Sequence, residues 1–146
     1  MAYGEVLGSE RKEDVLAFLL RVVAFFERQG VKISDLMTDN GSAYRSKLIR
    51  RTLKGLGIRH IFTRPYTPRT NGKVERFIRT SAEEWAFGRP YHTSQQRTAA
   101  LSVWLCYYNL TRRHAGIGRR TPIQRLVELR VTNVLATYTG RSDALS

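Results

Sequence analysis

Two carboxylates draw attention because each sits in a stretch dominated by cations. Asp39 lies in "LMTDNGSAYRS", between an apolar run and a glycine turn, and Gly41 lets the chain bend sharply beside it. Asp is common at turns for its own sake. The end of a strand in an α/β pattern is also where ligands and catalytic groups gather. Glu75 is flanked by Lys73, Arg76 and Arg79, in the first turn of a helix that follows a proline-containing loop. It reads either as an exposed helix acid paired with Arg79, worth about 0.2–0.5 kcal/mol, or as a partner of Asp39. Thirty-five residues lie between the two acids. The histidines His60, His92 and His114 and the single cysteine, Cys106, are scattered and give no zinc-ligand spacing.

The elements that must position these acids follow from periodicity and turn residues. "AYGEVL" (2–7) alternates and is expected as a short strand. Ser9 is expected to cap a helix running to Gln29, with Glu10, Glu13 and Asp14 in its first turn, where negative charge suits the helix dipole. Val15, Leu16, Phe18, Leu19, Val22, Val23, Phe25 and Phe26 cover more than half its circumference, which predicts burial on two sides. Gly30 stops it. "VKISDLMTD" (31–39) predicts a strand ending at Asp39, residues 43–55 a helix closed by Gly55 or Gly57, and "IRHIFT" (58–63) a second strand. Strand, helix, strand, helix, strand is an α/β order. "RPYTPRTNG" (64–72) must be a loop. The helix after it places Val74, Phe77, Ile78, Ala82 and Trp85 on one stripe. A further helix fits 93–110, with Ala99, Ala100, Val103, Trp104 and Tyr107 expected to be buried, and "TPIQRLVELR" a short closing helix with Pro122 near its start.

The 146 residues suffice for one domain, and an apolar fraction of 42% argues against wholesale disorder. The longest apolar run, "VLAFLLRVVAFFERQG", is broken by Arg21 and is too short for a membrane span. The start lacks the basic and apolar blocks of a signal peptide. With one cysteine, a reducing compartment fits, and the expected location is cytoplasmic, with no membrane. The net charge of +13 is uneven: −2 over residues 1–40 and +15 over 41–130. Charge gathered this way looks like a binding surface, and nucleic acid is the obvious polyanion. A solvated basic face, or a surface for acidic partners, is the alternative.

"TDNGS", "TRPYTPRTNGKVER" and "YNLTRRHAGIGRRTP" occur in that order, and together they resemble the integrase core of retroviral integrases and bacterial insertion-sequence transposases. That family carries an Asp, Asp-35-Glu triad on a ribonuclease-H-like fold. The resemblance covers roughly residues 2–137. It implies that Asp39 is the second Asp and Glu75 the terminal Glu, both catalytic and both ligands of Mg²⁺ or Mn²⁺. Such hard cations take oxygen donors. It also implies DNA contacts by Tyr66 and Asn71 in the loop before the catalytic helix, and by Lys73, Arg76 and Arg79 on it. Loop packing is the other reading of Tyr66. Asn40 either orients Asp39 or starts the turn, and His114 matches a family histidine that suits packing.

By the same resemblance "AYGEVL" looks like the third strand of the family's sheet, so the family's first Asp is expected to have no counterpart in these residues. The expectation is therefore an α/β, ribonuclease-H-like integrase core lacking its first two strands, with additional C-terminal helices. It is expected as a partial catalytic core at 1–130 and a tail at 131–146. An unpaired strand edge and an apolar patch on the first helix should follow. Alone, such a chain is expected to have little strand-transfer activity. Its expected partners are transposon-end and target DNA, further copies of itself, and a chain supplying the missing part. The alternative is a non-catalytic basic nucleic-acid-binding protein.

Overall fold

The computed structural model describes residues 1–63 and 72–139, with side chains as far as Val131. The chain forms two compact units. One is Glu5–Pro90; the other joins Met1–Gly4 to the chain from Tyr91 onward.

The first unit contains helix α1 (Lys12–Arg28), strand β1 (Asp35–Thr38), helix α2 (Lys47–Gly55), strand β2 (Arg59–Phe62) and helix α3 (Gly72–Ser81), which continues into a π-helical turn at Ala82–Ala86. β1 and β2 are parallel, joined through α2, in the register Asp35↔Arg59, Leu36↔His60, Met37↔Ile61 and Thr38↔Phe62. One device hands the chain from helix to strand twice. After α1, Gly30 at φ 65° donates its N–H to Glu27 O (2.7 Å), and Val31 N–H donates to Phe26 O (2.9 Å). After α2, Gly57 at φ 70° donates to Lys54 O (3.1 Å), and Ile58 to Leu53 O (2.9 Å). Both are Schellman caps, which need a residue at ease with positive φ. In the second, Ile58 and Leu53 also meet as buried apolar partners.

The core of this unit is Val15 and Leu19 from α1, Ile49 and Leu53 from α2, and Ile58. Spacing of four places each helical pair on one ridge. Ser46 starts α2, its Oγ accepting the Ile49 N–H at 3.3 Å, a cap worth roughly 0.5–2 kcal/mol. Leu16, Phe18, Val23, Ile33, Leu36, Ala43 and Tyr44 pack around this centre.

In the second unit, α4 (Ser94–Leu110) and α5 (Pro122–Thr139) pack together, with a 3₁₀ turn at Ala115–Ile117 between them. α5 opens with a reciprocal capping box. Thr121 N–H donates to Gln124 Oε1 (2.9 Å), and Gln124 N–H donates to Thr121 Oγ1 (3.3 Å), with Pro122 at the first helical position. Asn109, buried on α4, holds both backbone groups of Ala2, accepting its N–H at 2.8 Å and donating to its carbonyl at 2.7 Å.

Several expectations change. Residues 2–7 are not a strand: among the described residues no backbone ladder reaches them, and side chains secure them instead, Asn109 at Ala2 and Arg21 gripping Glu5 with bonds of 2.6–3.0 Å. Ser9 does not cap α1. Its hydroxyl donates to the Asp14 carboxylate, and the helix starts at Lys12 after Arg11. α1 buries fully only the ridge of Val15 and Leu19, with Leu16, Phe18 and Val23 half-buried against the core; Leu20 is exposed. In α4, Leu101 and Trp104 face inward while Val103 and Tyr107 are exposed on another side of the helix. On α3, Val74 and Ile78 are exposed and Phe77, Ala82 and Trp85 only half-buried, so the predicted stripe is not a core face among the described residues. The closing helix is longer than predicted, because nothing in "VTNVLATYT" breaks it. Among the described residues, no helix is long and apolar enough to cross a membrane.

Ile49 is wholly buried. Ile49→Ala should lower the unfolding free energy by roughly 2–5 kcal/mol, seen as a lower urea midpoint with an unchanged slope. Leu20→Ser should move the midpoint little.

Candidate active site at the C-terminal edge of the sheet

Parallel pairing brings the C-terminal ends of β1 and β2 to one edge. The ladder runs one bond further, with Thr63 N–H donating to Thr38 O at 2.8 Å. The Asn40 side-chain amide then donates to Thr63 O at 2.9 Å. The segments leaving both strands are thus tied together at the position of Asp39. The Asn40 side chain thus does more than start a turn: it latches the end of β2.

Asp39 is exposed, directly after Thr38. Its Oδ1 accepts the Gly41 N–H at 2.9 Å, an Asx turn that fixes the carboxylate from within the loop. A Cβ at residue 41 would lie 3.0 Å from that oxygen, tighter than ordinary contact, so glycine keeps the turn uncrowded. Tyr44 follows, half-buried against the core. Burial, then the charge of Asp39, then that of Glu10 raise its phenol above the ordinary value. Asp39 and Glu10 therefore act on the same ring.

Beneath the loop is a pairing that sequence reasoning missed. The Thr38 hydroxyl donates to Asp39 O at 2.9 Å and stands 2.8 Å from His60 Nε2. A hydroxyl has one proton, so His60 must be the donor and carry its hydrogen on Nε2. Burial, and then the charge of Arg50, hold the ring below its ordinary 6.5. His60 is thus a neutral donor supporting the backbone of the acid. Its only sequence signal was a polar residue on a strand; the strand register pairs it with Leu36 and brings its ring to Thr38.

Glu75 is exposed in the first turn of α3, in the same unit as Asp39. Lys73, Arg76 and Arg79 are exposed on the same helix. The ion pairs of the described residues include Arg21–Glu5, Arg59–Asp35 and Arg120–Glu128, and none joins Glu75 to Arg79. Tyr66 and Asn71 lie outside the described residues. Carboxylate oxygens suit Mg²⁺ or Mn²⁺, so Asp39 fits the donor type such an ion requires. Among the described residues, no three His, Cys, Asp or Glu side chains stand close enough together to hold an ion.

Comparison with known proteins identifies the family and the fold. Residues 1–68 match one sequence model of the integrase core domain, and residues 56–122 match a second of the same description. The chain belongs to the integrase-core family, and its fold is the ribonuclease-H-like fold of retroviral integrase cores. The catalytic core domain of BIV integrase superposes with a TM-score of 0.68 at 28% identity, covering 89% of this chain and 80% of that one. A simian T-cell lymphotropic virus intasome, solved with a PP2A regulatory subunit, gives 0.64 at 26% identity, over 81% and 41%. The transposase for insertion sequence element IS904 of Lactococcus lactis is 29% identical over 86 residues, 58% of this chain and 34% of the relative. A retrovirus-related Pol polyprotein from transposon TNT 1-94 of Nicotiana tabacum is 38% identical over 74 residues, 50% and 6%. The chain therefore spans about a third or less of the curated relatives it matches.

The pKa of His60 sets a pH dependence. With the folded value below the unfolded one, the unfolded chain binds the proton first. Stability is full above 6.5 and falls as pH drops through the folded value. His60→Gln should remove this part. Between pH 7 and pH 5 the urea midpoint of the wild type should fall further than that of the variant.

Proposed function

We propose that this chain is the catalytic core of a DNA strand transferase of the transposase and integrase type, acting on transposon-end and target DNA with Mg²⁺ or Mn²⁺. The observation that carries the reading is the latched sheet edge. Asp39 is held there by its own turn, and the Asn40–Thr63 bond starts the segment leading to Glu75 from the same place. In this reading Asp39 and Glu75 are the catalytic carboxylates and the metal ligands. When bound, a pair of divalent ions supplies activation of the attacking oxygen and stabilisation of the leaving one.

The chain's own groups do the rest. Asp39 offers an oxygen ligand whose direction the Gly41 N–H restricts. Thr38 and the neutral His60 hold the backbone beneath it, so the carboxylate need not reorganise when an ion arrives. Lys73, Arg76 and Arg79, exposed around Glu75, neutralise phosphates beside the reacting bond, and Tyr66 and Asn71 approach the DNA end. Two carboxylates hold a hard cation only weakly, so further donors come from outside the described residues, or from another copy in a multimer.

The lack of a three-acid cluster among the described residues favours a second reading, a basic protein that binds nucleic acid without catalysis. Calorimetry separates the two. Mn²⁺ should bind the purified chain, and Asp39→Ala or Glu75→Ala should weaken binding by at least about tenfold, since even residues that merely support a ligand cost 10- to 100-fold. Metal binding unchanged in both variants would leave only the second reading.

A further inference from the structure

Five arginines lie between residues 112 and 125, and three have work within the fold. Arg112 lies over the Tyr108 ring, 5.8 Å from its centroid, and its Nη1 is 3.4 Å from His114 Nδ1. Arg120 and Arg125 both engage the carboxylate of Glu128, Arg125 at 3.4 Å. Arg113 and Arg119 have no such duty. Both are exposed, and neither side chain enters an ion pair among the described residues.

The turn that carries them is closely defined. His114 N–H donates to Arg120 O at 3.0 Å, and Arg119 N–H donates to His114 O at 2.9 Å. Inside this closure, Gly118 N–H donates to Ala115 O at 3.1 Å. Gly118 has φ 68°, and a Cβ there would fall 2.5 Å from Arg120 Nη1. Arg119 follows at φ 59° and is the one non-glycine residue with positive φ among those described. A long side chain in this conformation is disfavoured, whereas glycine or asparagine would adopt it readily. A turn selected for shape alone would use one of those. Residues held in costly conformations gather where the side chain is used. The two Cα atoms are no more than about 13 Å apart, because two peptide links and one strand-pair separation connect them.

We propose that Arg113 and Arg119 form a contact site for the phosphates of duplex DNA, separate in sequence from the cations of α3. Arginine suits this because it is always charged and its planar fork matches phosphate oxygens. Phosphates repeat every 3.4 Å of axis along one strand, so two flexible side chains at this spacing can reach different phosphates of one duplex. Arg119 and Arg113 are exposed at this turn, while Arg112, Arg120 and Arg125 are engaged by Tyr108 and Glu128. The inference rests on the DNA reading above and adds a second place of attachment to it.

Fluorescence anisotropy with a labelled 30-base-pair duplex, titrated across a range of KCl concentrations, tests the proposal. Each phosphate contact contributes about 0.9 to the slope of log affinity against log salt. Arg113→Ala/Arg119→Ala should lower the slope by about 2. Arg119→Gly should lower it by about 1 while thermal stability stays equal or rises, because glycine suits the turn. Arg119→Lys should retain most of the slope. Arg76→Ala/Arg79→Ala serves as the reference. If that variant lowers the slope and the turn variants do not, the turn site is refuted and DNA binding stands. If neither set changes the slope, the DNA reading itself fails and this site with it.

Discussion

Everything around Asp39 depends on one constraint: two short parallel strands end together and are tied there. Four paired residues make a weak sheet, and backbone bonding at that length needs support from outside. The support comes from both sides of the ladder's end. Thr63 extends the ladder by one bond, and Asn40 closes over it. A polar side chain that could have been spent on its own turn instead joins two segments distant in sequence. Asp39 is left exposed, with one oxygen committed to the Gly41 N–H. An acid placed this way faces solvent while the backbone on either side of it is tied down.

The core beneath serves this edge. α1 and α2 bury four residues against each other and against Ile58, and the same cap geometry ends both helices. Each Schellman turn delivers the chain into the segment that forms or precedes a strand. Leu53 and Ile58 take part in cap and core at once, so the end of α2 and the start of β2 are set by one contact. His60 shows how the environment assigns a role. Partial burial and the Arg50 charge keep the ring neutral, and the single proton of the Thr38 hydroxyl then leaves His60 as donor.

The basic character of the chain divides into cations engaged within the fold and cations exposed to solvent. Arg21, Arg112, Arg120 and Arg125 are engaged with carboxylates or rings inside their own units. Lys73, Arg76, Arg79, Arg113 and Arg119 are presented outward. A net charge of +13 alone could not separate these groups, because a guanidinium paired with Glu128 and one facing solvent count equally in a composition.

By itself the sequence determined the alternation of helices and strands, the helix-ending glycine at residue 30, the proline-started closing helix and the family, since turn residues, periodicity and motif order are local properties. It also singled out Asp39 and Glu75 from their spacing. Tertiary structure decided what has no local signature. Residues 2–7 alternate like a strand, yet among the described residues no backbone ladder reaches them, and Asn109 and Arg21 hold them instead. Val103, Tyr107, Val74 and Ile78 are apolar at helical spacing, yet exposure depends on whether a neighbour covers that side. The Thr38–His60 contact, the Asn40 latch and the division of arginines all join residues distant along the chain or differing only in surroundings. Register and packing create such pairs, and neither can be read one residue at a time.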